Sequence, residues 1–141
     1  MKGYKSETDI DWSKSNADLC SYFTEPKGWE YVLKDFPSLR VCLAHFGRES
    51  EFDACIREMM PKYPNLYVDI SYSLFNTDHW GYMLVLLRTR PEFLERTLFG
   101  SDYYMNKIEG AEKIMSINLR AFIGEDLWKQ ITETNPLNFL R

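Results

Sequence analysis

Histidine, cysteine and long hydrophobic runs are all scarce in this sequence of 141 residues. The longest apolar run, residues 82–87, is far shorter than the ~20 residues of a membrane-spanning helix, so no such span is expected. The three cysteines, Cys20, Cys42 and Cys55, are odd in number and widely spaced, which argues against a disulfide framework and a Cys-x-x-Cys zinc motif. The polar amino-terminal stretch lacks the apolar region of a secretory signal. These features predict a cytoplasmic protein with reduced thiols.

Several sequence motifs of common enzyme classes are also absent. We find no Gly-x-Gly-x-x-Gly, Walker-type loop, His-Glu-x-x-His pair or Gly-x-Ser-x-Gly elbow. The sequence therefore gives no support for the enzyme classes that these motifs define. The 17 Lys and Arg against 21 Asp and Glu give a net charge of −4. A mildly acidic chain without a basic amphipathic segment is not expected to bind nucleic acid or a membrane surface.

The residues that are present predict one packed domain, because 45% are hydrophobic and 16% aromatic. Residues 1–25 lack apolar periodicity and are expected to form an irregular amino-terminal segment. Residues 26–141 alternate between helical stripes and short apolar runs. The predicted strands are 39–44, 66–70 and 97–99, and the predicted helices are 26–36, 52–59, 76–78 to 87, 109–122, 125–132 and 136–140. Pro91 is expected to lie beyond the third helix, and Asn135 to cap the last one. In helix 109–122, Ala111, Ile114 and Met115 are expected to point inward.

Strands that alternate with helices indicate βαβ units and a parallel sheet, so the predicted fold class is α/β. Three parallel strands would leave two open sheet edges, and their apolar sequences favour cover on both faces. The chain is therefore expected to be part of something larger.

Polar side chains stand at the carboxyl end of each predicted strand, where parallel α/β proteins bind their ligands. These residues are His45, Asp69 and Asp102. A histidine can bind a metal or act as a base, and a carboxylate can bind a metal or take a proton from metal-bound water. Structural alternatives exist for all three: a hydrogen-bonded His45, a loop or cap role for Asp102, and backbone hydrogen bonding by Asp69, which we favour for that residue.

Other candidates have simpler interpretations. Arg48 and Lys107 could hold an anionic substrate group, although surface solvation explains them as well. Tyr103, with Tyr72 and Tyr104, could line a pocket or simply pack. His79 is expected at a helix start with a partly exposed role near the cap.

Four segments taken in order resemble the amidohydrolase-related metal-dependent hydrolases. They are EPKGWEYVLKDFPSLRVCLAHFG (residues 25–47), YPNLYVDISY (residues 63–72), RTLFGSDYYM (residues 96–105) and TNPLNFL (residues 134–140). The resemblance implies a partial (β/α)8 TIM-type barrel of about three parallel strand–helix units plus carboxyl-terminal helices, over residues 26–141. It also implies a small-molecule substrate and hydrolysis of a C–N or C–O bond, or a related decarboxylation.

The resemblance also implies site residues. His45 is similar to the sixth-strand histidine of the family, and Asp102 to the eighth-strand aspartate that binds metal and handles the proton of the attacking water. Both are therefore candidate catalytic and metal-binding residues, with zinc the first expectation, and Arg48 and Tyr103 are candidate substrate-binding residues. The strand containing Asp69 is similar to the seventh.

One departure from the family is large: the His-x-His pair of its first strand has no counterpart, since only His45 and His79 are present. The chain is therefore expected to be a carboxyl-terminal barrel fragment that binds little or no metal and is inactive alone, because a catalytic zinc needs about three protein ligands. It would self-associate or pair with the missing barrel half. The alternatives are a non-catalytic α/β module that self-associates through its sheet edges, and a flavodoxin-like domain, which would need about five strands.

Overall fold

A computed structural model of the chain describes residue 13 and residues 25–47, 50–71, 77–102, 104 and 112–141. Helices and strands alternate along these residues, as the sequence predicted. In chain order they are a 3-10 turn (Pro26–Gly28), α1 (Trp29–Asp35), β1 (Val41–Leu43), a turn (Ala44–Gly47), α2 (Ser50–Met59), β2 (Leu66–Asp69), α3 (Thr77–Thr89), α4 (Pro91–Arg96), β3 (Thr97–Leu98), α5 (Glu112–Ile123), α6 (Glu125–Lys129), a π-helical turn (Gln130–Thr134) and α7 (Asn135–Leu140). Most of the predicted irregular segment, residues 1–25, lies outside the described residues.

The three strands form one parallel sheet in the order β1-β2-β3. Val41 of β1 is in register with Leu66 of β2, and Val68 of β2 with Thr97 of β3. Each connection between consecutive strands contains helix, which is the arrangement expected of βαβ units. The predicted α/β class is therefore confirmed.

The two faces of the sheet differ because side chains alternate along a strand. One face joins the hydrophobic core through Val41, Leu43, Leu66 and Val68. The helices contribute to this core mainly Leu33, Ile56, Met59, Trp80, Met83, Leu87, Phe93, Leu119 and Ile123. The second face contains Cys42, Tyr67 and Asp69, and the ring of Tyr67 meets that of Phe139 in α7 at 5.0 Å.

The amino ends of β2 and β3 are held by the half-buried side chain of Arg96. Its guanidinium donates hydrogen bonds to the backbone oxygens of Met60 (2.7 Å), Tyr63 (2.6 Å) and Leu66 (3.3 Å). Burial lowers the pKa of Arg96 from its ordinary value, with nearby acidic groups opposing that effect. These three carbonyls accept from one side chain, so Arg96 joins the loop before β2 to the start of β3.

The side chain of Asn135 bonds to the backbone at β3. The prediction that Asn135 caps a helix is therefore wrong. Its side chain is fully buried and donates to the backbone oxygens of Leu94 (2.8 Å) and Thr97 (2.7 Å), while its own oxygen accepts from Gln130 (2.7 Å). The preceding π-helical turn also supplies the oxygen of Ile131, which accepts from the backbone N–H of Phe99 at 2.9 Å. The outer edge of β3 is thus partly satisfied by the carboxyl-terminal helices.

Two further predictions about helices need correction. Pro91 does not merely follow a helix but begins the short helix α4, which the sequence analysis missed. In α5, Ile114 points outward with 57% of its surface exposed, and the buried residues are Leu119 and Ile123. Ala111 and the predicted helix start at residue 109 lie outside the described residues. Among the helices that the structure describes, none combines the length and apolar character required to cross a bilayer.

Candidate functional site at the carboxyl edge of the sheet

The turn after β1 has an unusual backbone that separates two neighbouring side chains. His45 (φ 67°, ψ 18°) and Phe46 (φ 49°, ψ 31°) both adopt left-handed conformations, which cost roughly 1–3 kcal/mol each for residues other than glycine. Phe46 is fully buried, with its ring 5.6 Å from that of Phe93 and 5.8 Å from that of His79. Burial of Phe46 offsets this cost and leaves the His45 side chain exposed at the carboxyl edge.

Asp69 ties the end of β2 to the turn after β1. Its Oδ1 accepts hydrogen bonds from the backbone N–H of His45 (3.0 Å) and of Ser71 (2.9 Å), and from the Ser71 hydroxyl in a very short contact. One carboxylate oxygen therefore organises both strand ends. This is the backbone-binding role that the sequence analysis favoured for Asp69.

The imidazole of His45 lies against Ser71. Its Nδ1 is 3.1 Å from the backbone oxygen of Ser71 and 3.0 Å from the Ser71 hydroxyl oxygen. Ser71 is itself buried. The His45 ring is therefore attached to the end of β2 through the same residue that bonds to Asp69.

The thiol of Cys42 faces the second oxygen of Asp69. Its Sγ lies 3.9 Å from Asp69 Oδ2, a distance at which a thiol donates only weakly. Burial, and then the charge and hydrogen bond of Asp69, raise the pKa of Cys42 to about 12. In the absence of a metal ion this raised pKa favours the protonated thiol, which is a poor nucleophile.

The end of β3 approaches the same place. A Cβ added at Gly100 would lie 3.0 Å from Cβ of Ser71 and 3.6 Å from Cγ of Asp69. Asp102 follows two residues later, half-buried and with a left-handed backbone (φ 50°), a conformation that aspartate tolerates better than most residues. The segments containing His45 and Asp102 therefore both reach the carboxyl edge, on either side of Ser71.

Other predicted residues are distributed differently. Arg48, Tyr103, Lys107 and Tyr72 lie outside the residues that the structure describes. His79 lies near the start of α3 and is partly exposed, as expected, with its ring 5.8 Å from that of Phe46 and 5.6 Å from that of Tyr82. Burial lowers the pKa of His79, against the opposing charge of Asp53. Its ring packs against Phe46 in the turn after β1.

The described residues do not complete a metal site by themselves. Within residues 25–47, 50–71, 77–102 and 112–141, no group of three or more His, Cys, Asp and Glu side chains is arranged to hold a metal ion. A catalytic zinc is normally held by three protein ligands, with water in the fourth position. His45 and Asp102 would therefore need at least one further ligand.

Ser71 is the residue at this edge that the sequence analysis overlooked. The sequence did contain a signal for it. An aspartate can accept a hydrogen bond from the backbone N–H of the residue two positions later, which forms an Asx turn. Asp69 and Ser71 have this spacing. What local spacing does not show is that the histidine of a different strand meets the same serine.

A parallel sheet with a histidine and an aspartate following the carboxyl ends of its strands is found both in (β/α)-barrels and in doubly wound α/β folds. The family model for amidohydrolases matches residues 30–141, and the chain belongs to the amidohydrolase family. This family has the TIM-barrel fold, so the three-stranded sheet and its helices agree with a partial barrel. A search of curated proteins and a search of solved structures each returned no significant match.

Proposed function

We propose that this chain provides the sixth, seventh and eighth strands of an amidohydrolase barrel that acts on a C–N or C–O bond of a small molecule, or decarboxylates one. In this proposal residues 26–141 form the carboxyl-terminal portion of the barrel, and residues 1–25 are an irregular segment before it. The observation that carries the proposal is the meeting of three strand ends at Ser71, with the His45 ring at 3.0 Å and Gly100 in close approach.

His45 and Asp102 have separate roles in this proposal. An imidazole is the commonest general base in enzymes, and the exposed position of His45 lets it take a proton from a reacting water or substrate. Asp102, half-buried after β3, is the candidate metal ligand and second proton acceptor. Arg48 and Tyr103, which follow the same two strand ends in the sequence, are proposed to bind the substrate.

Metal chemistry in this family generally involves a divalent ion, and zinc is our first proposal. Such an ion would lower the pKa of a bound water to about 7 and so supply hydroxide near neutral pH. The described residues offer too few ligands for it. We therefore propose that this chain alone does not turn over substrate, and that the preceding barrel strands, with their His-x-His pair, supply the remaining ligands.

Zinc binding by the purified chain tests this proposal. After incubation with zinc and gel filtration, metal analysis should find well under one equivalent on the chain. Weak zinc binding measured by calorimetry should fall further in His45→Ala and Asp102→Ala, but not in Asp35→Ala, which removes an exposed carboxylate of α1. One tightly held equivalent that Asp102→Ala abolishes would overturn the proposed incompleteness. Unchanged weak binding in both site variants would remove these residues from the metal site.

A second candidate function is a non-catalytic module that associates with another copy of this chain. Ile114 and Ile117 favour it, because they are 57% and 58% exposed on α5. Large exposed aliphatic side chains on one helix are a common feature of protein interfaces. Light scattering tests the second candidate function: a metal-free dimer disrupted by Ile117→Glu supports the module, and a monomer at all accessible concentrations rejects it.

A further inference from the structure

We infer that Ser71 and Asp69 are positioning residues that hold the neutral His45 ring in the tautomer protonated at Nδ1, so that its lone pair lies on Nε2. This inference rests on the proposed function, in which His45 must present a lone pair to a proton or a metal.

The groups around Nδ1 of His45 decide whether this nitrogen donates or accepts. The backbone oxygen of Ser71 lies 3.1 Å from Nδ1. A carbonyl oxygen can only accept a hydrogen bond, so Nδ1 must be the donor in this contact. A neutral imidazole has a single N–H, and its other nitrogen therefore carries the lone pair.

The Ser71 hydroxyl is oriented by Asp69. Its single proton is donated to Oδ1 of Asp69, so the oxygen turns its lone pairs to its other neighbours. One of those neighbours is Nδ1 of His45, at 3.0 Å. Asp69 thus converts the serine hydroxyl into an acceptor, and two oxygens of one residue oppose an unprotonated Nδ1.

The backbone of His45 is held by the same two residues. Oδ1 of Asp69 also accepts the backbone N–H of His45 at 3.0 Å. The main chain and the ring of His45 are therefore both attached to the Asp69–Ser71 pair, and Phe46 anchors the following residue in the core. Hydrogen bonds of this kind orient a histidine ring and select its tautomer. These contacts therefore fix the lone pair of the neutral ring on Nε2 before a ligand binds.

Nitrogen NMR of the isotope-labelled chain measures the tautomer directly, without metal, substrate or activity. Spectra recorded over a pH series identify the neutral form of each ring and its tautomer. The chain has only two histidines, so His45→Gln assigns both sets of signals and His79 serves as an internal control. We expect His45 to be mainly Nδ1–H, whereas histidine free in water favours Nε2–H.

Variants test the two positioning residues. Ser71→Ala and Asp69→Asn should each lower the ratio of Nδ1–H to Nε2–H at His45 about fivefold, the effect of one ordinary hydrogen bond on an equilibrium. Ser71→Thr keeps the hydroxyl and should restore the ratio. Ser38→Ala, at an exposed serine before β1, should leave it unchanged, and His79 signals should not move in any variant that stays folded.

Two results would overturn the inference: a wild-type His45 that is mainly Nε2–H, or an unchanged ratio in folded Ser71→Ala and Asp69→Asn. If Ser71→Ala does not fold, the wild-type tautomer and the Asp69→Asn ratio still decide. Failure of the proposed function is separate, because it would appear as unchanged zinc binding in His45→Ala while the tautomer of His45 stays Nδ1–H.

Discussion

Replacement of Asn135 by alanine tests whether a buried side chain in the carboxyl-terminal helices holds the sheet together. Asn135 makes three side-chain hydrogen bonds, to the oxygens of Leu94 and Thr97 and from Gln130. Each bond is worth roughly 1 kcal/mol net, and the gain in helix propensity on changing to alanine is only about 0.5 kcal/mol. We therefore expect Asn135→Ala to lower the free energy of unfolding by about 2–3 kcal/mol.

The measurement is urea unfolding followed by tryptophan fluorescence, since Trp80 and Trp128 both contact the core. A loss of this size corresponds to a fall of roughly 5–10 °C in Tm for a chain of this length. Asn138→Ala is the matched control in the same helix, because its side chain is exposed and only its backbone oxygen accepts a bond, from Arg40. If the two variants differed by less than about 0.5 kcal/mol, the size of an ordinary surface substitution, the reasoning would be refuted.

Three further predictions use other features of the described residues. Gly100→Ala puts a Cβ 3.0 Å from the nearest side-chain atom and should cost about 1–3 kcal/mol in urea unfolding, whereas Gly81→Ala, in open space within α3, should add about 0.5–1 kcal/mol. Equal effects would contradict the close approach. The pKa of Cys42 is raised to about 12, so iodoacetamide should alkylate Cys42 more slowly than Cys55 near neutral pH, and mass spectrometry can measure both rates. The two thiols should react at similar rates in the unfolded chain. Similar rates in the folded chain would contradict the raised pKa of Cys42. Burial and a neighbouring carboxylate raise the pKa of Tyr82 from 10.0 to about 12, so the unfolded state ionises first as pH rises. The stability difference between wild type and Tyr82→Phe should therefore be complete below about pH 10 and narrow towards pH 12; a constant difference would refute this assignment.

The order of helices and strands was predictable because short-range apolar spacing carries that information. The predicted strand 66–70 corresponds to β2, and residues 52–59 fall within α2. Pro91 misled the analysis, since proline is tolerated at the first position of a helix as well as after its end. Ile114 was expected inward because it continues a helical stripe, but α5 buries the adjacent stripe of Leu119 and Ile123 instead.

The candidate site was only partly predictable. His45 and Asp102 stand out in the sequence because each follows a predicted strand, and Asp69 was correctly interpreted as a backbone partner. Ser71 was missed because its contact with His45 joins residues 26 positions apart. The role of Asn135 was missed for the same reason, since its bond to Thr97 spans 38 positions.

The sequence by itself determined the alternation of helix and strand, the placement of a histidine and an aspartate after strands, and the presence of only two histidines. These properties follow from residue identity and from spacing within a few turns of chain, where local backbone geometry decides the outcome. Tertiary structure alone decided that the left-handed turn brings His45 onto Ser71, and that Asn135 supports β3. Those contacts form only when packing brings distant segments within hydrogen-bonding distance, so no local pattern specifies them.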